Sequence, residues 1–174
     1  RYVSQTLASI LYGHTLDDEG YFRELLQKEY GFSNPHHLVA VFILDMKEHS
    51  TYLTLAEAMR QLAEILKAHF AALPFIRVRF QKNMFVLVPN LEEARIPAIP
   101  DLCAQAAEAV AQNHRLNAFL RYGIGQAVEQ LAHLARSFDE AKNSLFLQAP
   151  SPQAKETQAA FTYDRRDIID AITS

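Results

Sequence analysis

Apolar residues recur along the chain in two rhythms, and the points where one gives way to the other divide it into elements. Leu7, Ile10 and Leu11 lie at helical spacing ahead of Gly13, which predicts an amphipathic helix over residues 2–12. Thr15 followed by Asp17, Asp18 and Glu19 reads as an N-cap with an acidic first turn, opening a second helix through Phe22, Leu25 and Leu26 that Gly31 can close. Leu38 to Leu44 is an unbroken apolar run rich in β-branched side chains. It predicts a central strand covered on both faces, with Asp45 at its end as a loop or cap residue. Thr54 and Glu57 have the spacing of a capping box, and Leu55, Met59, Leu62, Ile65, Leu66 and Phe70 fall on one face of the helix that follows.

Residues 75–80 alternate sides with period two and residues 84–89 are more uniformly apolar. With Gln81, Lys82 and Asn83 as the turn they predict a β-hairpin placing Arg79 and Phe80 opposite Met84 and Phe85. Pro97 and Pro100 mark a loop before a helix from Leu102 to about His114, and residues 120–125 form a strand ending in two glycines. Two helices over 130–136 and 138–147 follow, the second capped by Ser137; a short strand over 161–163 and a helix from Arg165 to Ile172 end the chain. A hairpin within an otherwise helix-separated order predicts an α/β (α+β) fold. Its sheet is mixed and largely antiparallel, with helices on its faces, and two N-terminal helices precede it. The expected division is a helical linker over 1–36 and a sheet-bearing domain over 37–174.

Composition narrows the function. With 17 basic against 20 acidic residues the formal charge is −3, too weak a field to draw a polyanion to the whole surface, so DNA is expected to be contacted only by a part absent from this chain. The single cysteine, Cys103, cannot form an internal disulfide and lacks a partner for a zinc site, which fits a buried thiol in a reducing cytoplasm. No run of about 18 apolar residues exists, so no membrane contact is expected. The chain starts at Arg1 and ends in a helical pattern, as expected of a piece of a longer polypeptide.

No phosphate-cradling loop, nucleophile elbow or HExxH pair is present, and neither a catalytic centre, a metal site nor a cofactor is expected. His36 and His37 are neighbours beside a proline, pointing in opposite directions, and read as surface histidines; His69, His114 and His133 stand alone on helices. Gly123 and Gly125 read as positions of close backbone packing or of a tight turn.

One set of segments carries a resemblance. ArgPheGlnLysAsnMetPheValLeuValPro (79–89) is similar to the hairpin of the GGDEF family, in which an Arg and an aromatic residue precede a GlyGlyAspGluPhe turn. PheIleLeuAspMetLys (42–47) resembles that family's first strand, ArgTyrGlyIleGly (121–125) its late strand, and SerPheAspGluAlaLysAsnSerLeuPhe (137–146) the helix after it. The resemblance covers residues 38–147, in the family's order, and implies a nucleotidyl-cyclase-like fold. In active diguanylate cyclases the glycines admit nucleotide, and carboxylates at the turn and strand end hold Mg²⁺ against the triphosphate. This chain keeps Asp45 but has Lys47 at the second aspartate position. Gln81 and Lys82 replace the glycines, and Asn83 and Met84 the acidic pair. Asp45, Lys47, Gln81, Lys82 and Asn83 therefore form a vestigial site, and no enzyme activity is expected. The ArgxxAsp pair that many cyclases carry before the hairpin would fall near Ala72 and Phe75.

Such degenerate domains resemble those of purine-catabolism, sugar-diacid and AraC-type regulators, where they lie between a sensory part and a C-terminal helix-turn-helix. The resemblance implies a noncatalytic, cytoplasmic signal-transmission domain, with a nucleotide- or small-molecule-sensing domain as the alternative. Its partners would be other domains of the same polypeptide and a second copy in a homodimer. Leu7, Ile10 and Leu11 are the expected interaction face.

Overall fold

The computed structural model describes residues 2–47 and 53–147. Helices α1 (Tyr2–Leu11) and α2 (Glu19–Tyr30) precede strands β1 (His36–His37) and β2 (Ala40–Met46). Then come α3 (Leu55–His69), the hairpin of β3 (Phe75–Gln81) and β4 (Met84–Leu91), α4 (Ile99–Gln112), β5 (Ala118–Ile124) and α5 (Leu134–Leu147). From β2 to β5 the order is β-α-β-β-α-β, a split βαβ arrangement. β4 lies between β3 and β2, and β2 between β4 and β5. All of these pairings are antiparallel, so the sheet is antiparallel throughout the described residues. His36 and His37 continue β2's pairing with β4 in the same register, His37 facing Asn90 as Ala40 faces Leu87.

The unbroken apolar run of β2 follows from its central position. Val39, Val41 and Ile43 enter one core with α1, α2 and α5, whereas Leu38, Ala40, Phe42 and Leu44 enter a second core with α3 and α4. β4 divides likewise, with Met84, Val86 and Val88 on the first side and Phe85 and Leu87 on the second. β3 alternates because, among the described residues, it is an edge strand. Ile76 and Val78 are buried, and Arg77 and Arg79 are exposed on a stretch of sheet that α3 leaves open. The capping box of α3 forms in both directions, Thr54 Oγ1 accepting from the Glu57 amide and Glu57 Oε2 from the Thr54 amide.

Several local expectations are corrected. Asp18, not Thr15, caps α2: its Oδ1 accepts from the Tyr21 amide at 3.0 Å, and Gly31 closes the helix in the left-handed region as expected. The hairpin loop is only Lys82 and Asn83. Arg79 does face Phe85, but Phe80 is an extra residue in a bulge and Gln81 is the one opposite Met84. The bulge turns Phe80 toward the first core, its ring centroid 5.4 Å from that of Phe138. The loop expected at Pro97 is a 3-10 turn, Glu93–Ala98, and α4 starts at Ile99 with Pro100 in its first turn, where a missing amide leaves no bond unmade.

The two helices expected over 130–147 are one helix, α5, after a 3-10 turn at Leu131–His133. Leu134, Phe138, Ala141 and Leu145 form one continuous buried stripe, so nothing interrupts the helix at Ser137, which is fully buried within it. Within the stretch expected as a helical linker, Val3, Leu7, Ile10, Leu11, Phe22 and Leu26 share a single core with the sheet. The strand and helix expected after residue 160 lie outside the described residues.

Candidate functional site

β2 and the β3–β4 hairpin bring the expected site residues to one end of the sheet. The Leu44 amide donates to Asn83 O at 3.0 Å and Asn83 Nδ2 returns a bond to Leu44 O at 3.2 Å, so the turn is tied to the strand beside it. Arg79 reaches back over the turn, its Nη2 donating to Lys82 O at 2.6 Å and its Nε to Gln81 O at 3.4 Å. Lys82 is exposed, with Gln81 and Asn83 half-buried. Lys47 folds away, its Nζ 4.5 Å from the centre of the Phe119 ring and its amide donating to Asn117 O.

Asp45 is not a loop or cap residue. It lies inside β2, 6% exposed, on the face shared with Ile43, and β5 sets Phe119 opposite it and Arg121 opposite Ile43. Arg121, 8% exposed, is therefore Asp45's diagonal neighbour on the same face. Its Nε donates to Asp45 Oδ2 at 2.5 Å and its Nη2 to Oδ1 at 3.3 Å. Both carboxylate oxygens are engaged by one planar fork. The pairing was missed in the sequence because Arg121 was read as part of a strand landmark; an arginine inside an apolar strand was the signal that a buried acid would meet it.

These residues do not fit the Mg²⁺ that the family resemblance implies. A hard dication needs several anionic oxygens free to approach it. Here the one aspartate is held by a guanidinium, and Lys47, Asn83 and Met84 supply no carboxylate. Among the described residues no three His, Cys, Asp or Glu side chains converge as metal ligands.

The glycines of the late strand serve packing. A Cβ on Gly123 would lie 1.9 Å from Ala141 O, and one on Gly125 would lie 1.9 Å from Ser137 O, so α5 crosses the strand end in backbone contact. Two hydroxyls complete the ladder there: Ser137 Oγ accepts from the Val39 amide at 3.0 Å and Ser144 Oγ from the Ile124 amide at 2.9 Å.

His37 is not at the surface. It is 3% exposed, bracketed by Phe32 and by Asn90, whose Nδ2 lies 3.1 Å from His37 Nε2 and also donates to the carbonyls of Asn34 and His36. Burial, aided by the charges of Arg23 and His36, lowers its pKa to about 4, so the ring is neutral near pH 7. His36 Nε2 lies 4.0 Å from Glu129 Oε1, and His69 Nδ1 lies 2.8 Å from Ile65 O.

The expected interaction face lies on the inner side of α1. Leu7, Ile10 and Leu11 are almost wholly buried against α5 and the sheet, and α1 exposes Tyr2, Gln5 and Ser9 instead. Among the described residues no helix is long and apolar enough to cross a membrane.

No curated protein and no solved structure matches the chain. A family model described as the GGDEF-like domain matches residues 22–146, from the fourth residue of α2 almost to the end of α5. That span holds the split βαβ sheet, the altered hairpin turn and the strand that carries Arg121, and the chain belongs to the GGDEF-like domain family.

Proposed function

We propose that this domain is noncatalytic and transmits a signal within a bacterial transcription regulator, between a sensory part and a helix-turn-helix part that binds DNA. The observation that carries the reading is the Asp45–Arg121 clasp: the one carboxylate left at the position of the cyclase metal site is neutralised within the fold. The turn, with Gln81 and Lys82 where cyclases have glycine, adds bulk and no acid. What remains is a stiff sheet between two helical layers.

α1 packs on α5 in the same layer, so the first and last described helices touch, and a shift of one is felt by the other. The partners in this reading are the flanking domains of the same polypeptide and a second copy, in the cytoplasm, with DNA contacted through another part. Two measurements test it. The chain incubated with GTP and Mg²⁺ should form no cyclic dinucleotide, and product above a buffer blank would end the noncatalytic reading. The coding frame around residues 1–174 should contain a helix-turn-helix, and a frame without one would end the regulator reading.

A further inference from the structure

On the sheet face opposite the Asp45–Arg121 pair, a cleft of about 470 Å³ opens between α3 and the exposed side of β3. Ala56, Met59 and Ala63 from α3 form one wall, Phe85 of β4 forms the floor, and Arg60, Arg77 and Arg79 stand around it. Among the described residues the cleft thus gathers three guanidiniums and no acid, on a chain whose acids outnumber its bases. Arg60 also lines the adjoining groove, together with its helical neighbours Glu57 and Glu64, of which Glu57 is engaged on the Thr54 amide. Among the described residues neither Arg60 nor Arg77 forms an ion pair with a carboxylate.

Two of the three arginines are already positioned. Arg77 lies with its guanidinium 5.0 Å from the centre of the Phe85 ring, and Arg79 is held by the turn carbonyls of Gln81 and Lys82. Like charges gathered on neighbouring elements repel, and a multiply charged anion relieves that repulsion while finding donors whose freedom is already reduced. Guanidinium forks match the oxygen spacing of phosphate. The apolar wall and the ring suit the less polar part of a ligand that carries it.

We propose that this cleft is a binding site for a small phosphate-bearing polyanion, held by Arg60 and Arg77 with Arg79 at its edge. None of the vestigial residues at the strand end lines the cleft, and the proposal stands or falls independently of the regulatory reading. Inorganic pyrophosphate is the probe, titrated into the full chain at low salt and followed by calorimetry and by the NMR signals of the arginine Nε–H groups and the Met59 methyl. Saturable binding that moves those signals is expected. It should weaken about tenfold or more in Arg60→Gln and Arg77→Gln, and weaken in Arg77→Lys, which keeps the charge and loses the fork. Both positions of substitution are solvent-exposed, so the variants retain the fold. No saturable binding, binding unchanged in the two glutamine variants, or equal binding of succinate would overturn the proposal.

Discussion

Asp45 and Arg121 meet diagonally across the β2–β5 pairing, each less than a tenth exposed, with both carboxylate oxygens held by one guanidinium. Buried pairs of this kind are costly to break and cheap to replace, because removing one partner leaves the other charge in a dry interior. Asp45→Ala and Arg121→Ala should each lower stability by about 3–5 kcal/mol in urea unfolding. The double variant Asp45→Leu with Arg121→Met should recover most of that loss. Single variants within about 1 kcal/mol of the native chain would show that the pair is solvated rather than buried.

The contact of α5 with the end of β5 makes a second, sharper demand. Neither Gly123 nor Gly125 has room for a methyl group, and the atoms in the way are backbone carbonyls that cannot rotate aside. Gly123→Ala and Gly125→Ala should each destabilise by about 1–3 kcal/mol or more, the cost of overpacking. Ser144→Ala, which strips the Ile124 amide of its acceptor, should cost about 1–3 kcal/mol. Thermal unfolding of the three variants checks the order, and alanine tolerated at both glycines would be incompatible with backbone contact there.

The parts of the fold legible in the sequence were those in which one local rule acts alone. The Thr54–Glu57 box, the apolar β2 run, the period-two β3 strand and the close packing at Gly123 and Gly125 each follow from spacing and side-chain shape. What was misread depends on partners distant in the chain. Ser137 resembles a cap until the Val39 amide, 98 residues away, is seen to need its hydroxyl. His37 resembles a loop histidine until Asn90 and Val128 enclose it, and Asp45 resembles a strand-end residue until β5 supplies Arg121. The hairpin was placed correctly, but its bulge was not: a three-residue polar stretch between strands does not say that Gln81 pairs and Phe80 is the extra residue. At the candidate site the residue positions were readable from the family's motifs, and the neutralising arginine was not.

His37 predicts a pH dependence of stability. An unfolded chain takes up a proton on this ring near pH 6.5, whereas the folded chain refuses it until about pH 4. Above pH 6.5 both states are neutral and the group adds no slope. As pH falls from about 6.5 to about 4 the unfolded state binds more protons, so folding stability drops, by up to about 3 kcal/mol in all, and then levels. His37→Gln keeps an acceptor for Asn90 Nδ2 and removes the titration. Urea midpoints between pH 7 and pH 4 should decline less steeply in that variant than in the native chain; parallel declines would mean that His37 is accessible to water.

A helix whose apolar face waits for another chain should accept polar substitution without harm to its own domain, and an interface role for Leu7, Ile10 and Leu11 would require that. Their side chains instead complete the core beneath α5 and β3, each at most 3% exposed. Leu7→Ala should therefore cost about 2–5 kcal/mol, as a truncation that leaves a cavity, and Leu7→Asn should cost more by burying an unpartnered amide. The loss should appear as global unfolding at lower urea, at any protein concentration, because the contact lies within the chain. If an interface exists on this helix, it lies on the outward side with Tyr2, whose ring centroid is 6.3 Å from that of Tyr21, both about half exposed. Sedimentation of Tyr2→Ser and Leu7→Ala separates the two faces. A Leu7 variant that keeps native stability and loses only self-association would refute the intrachain role of α1.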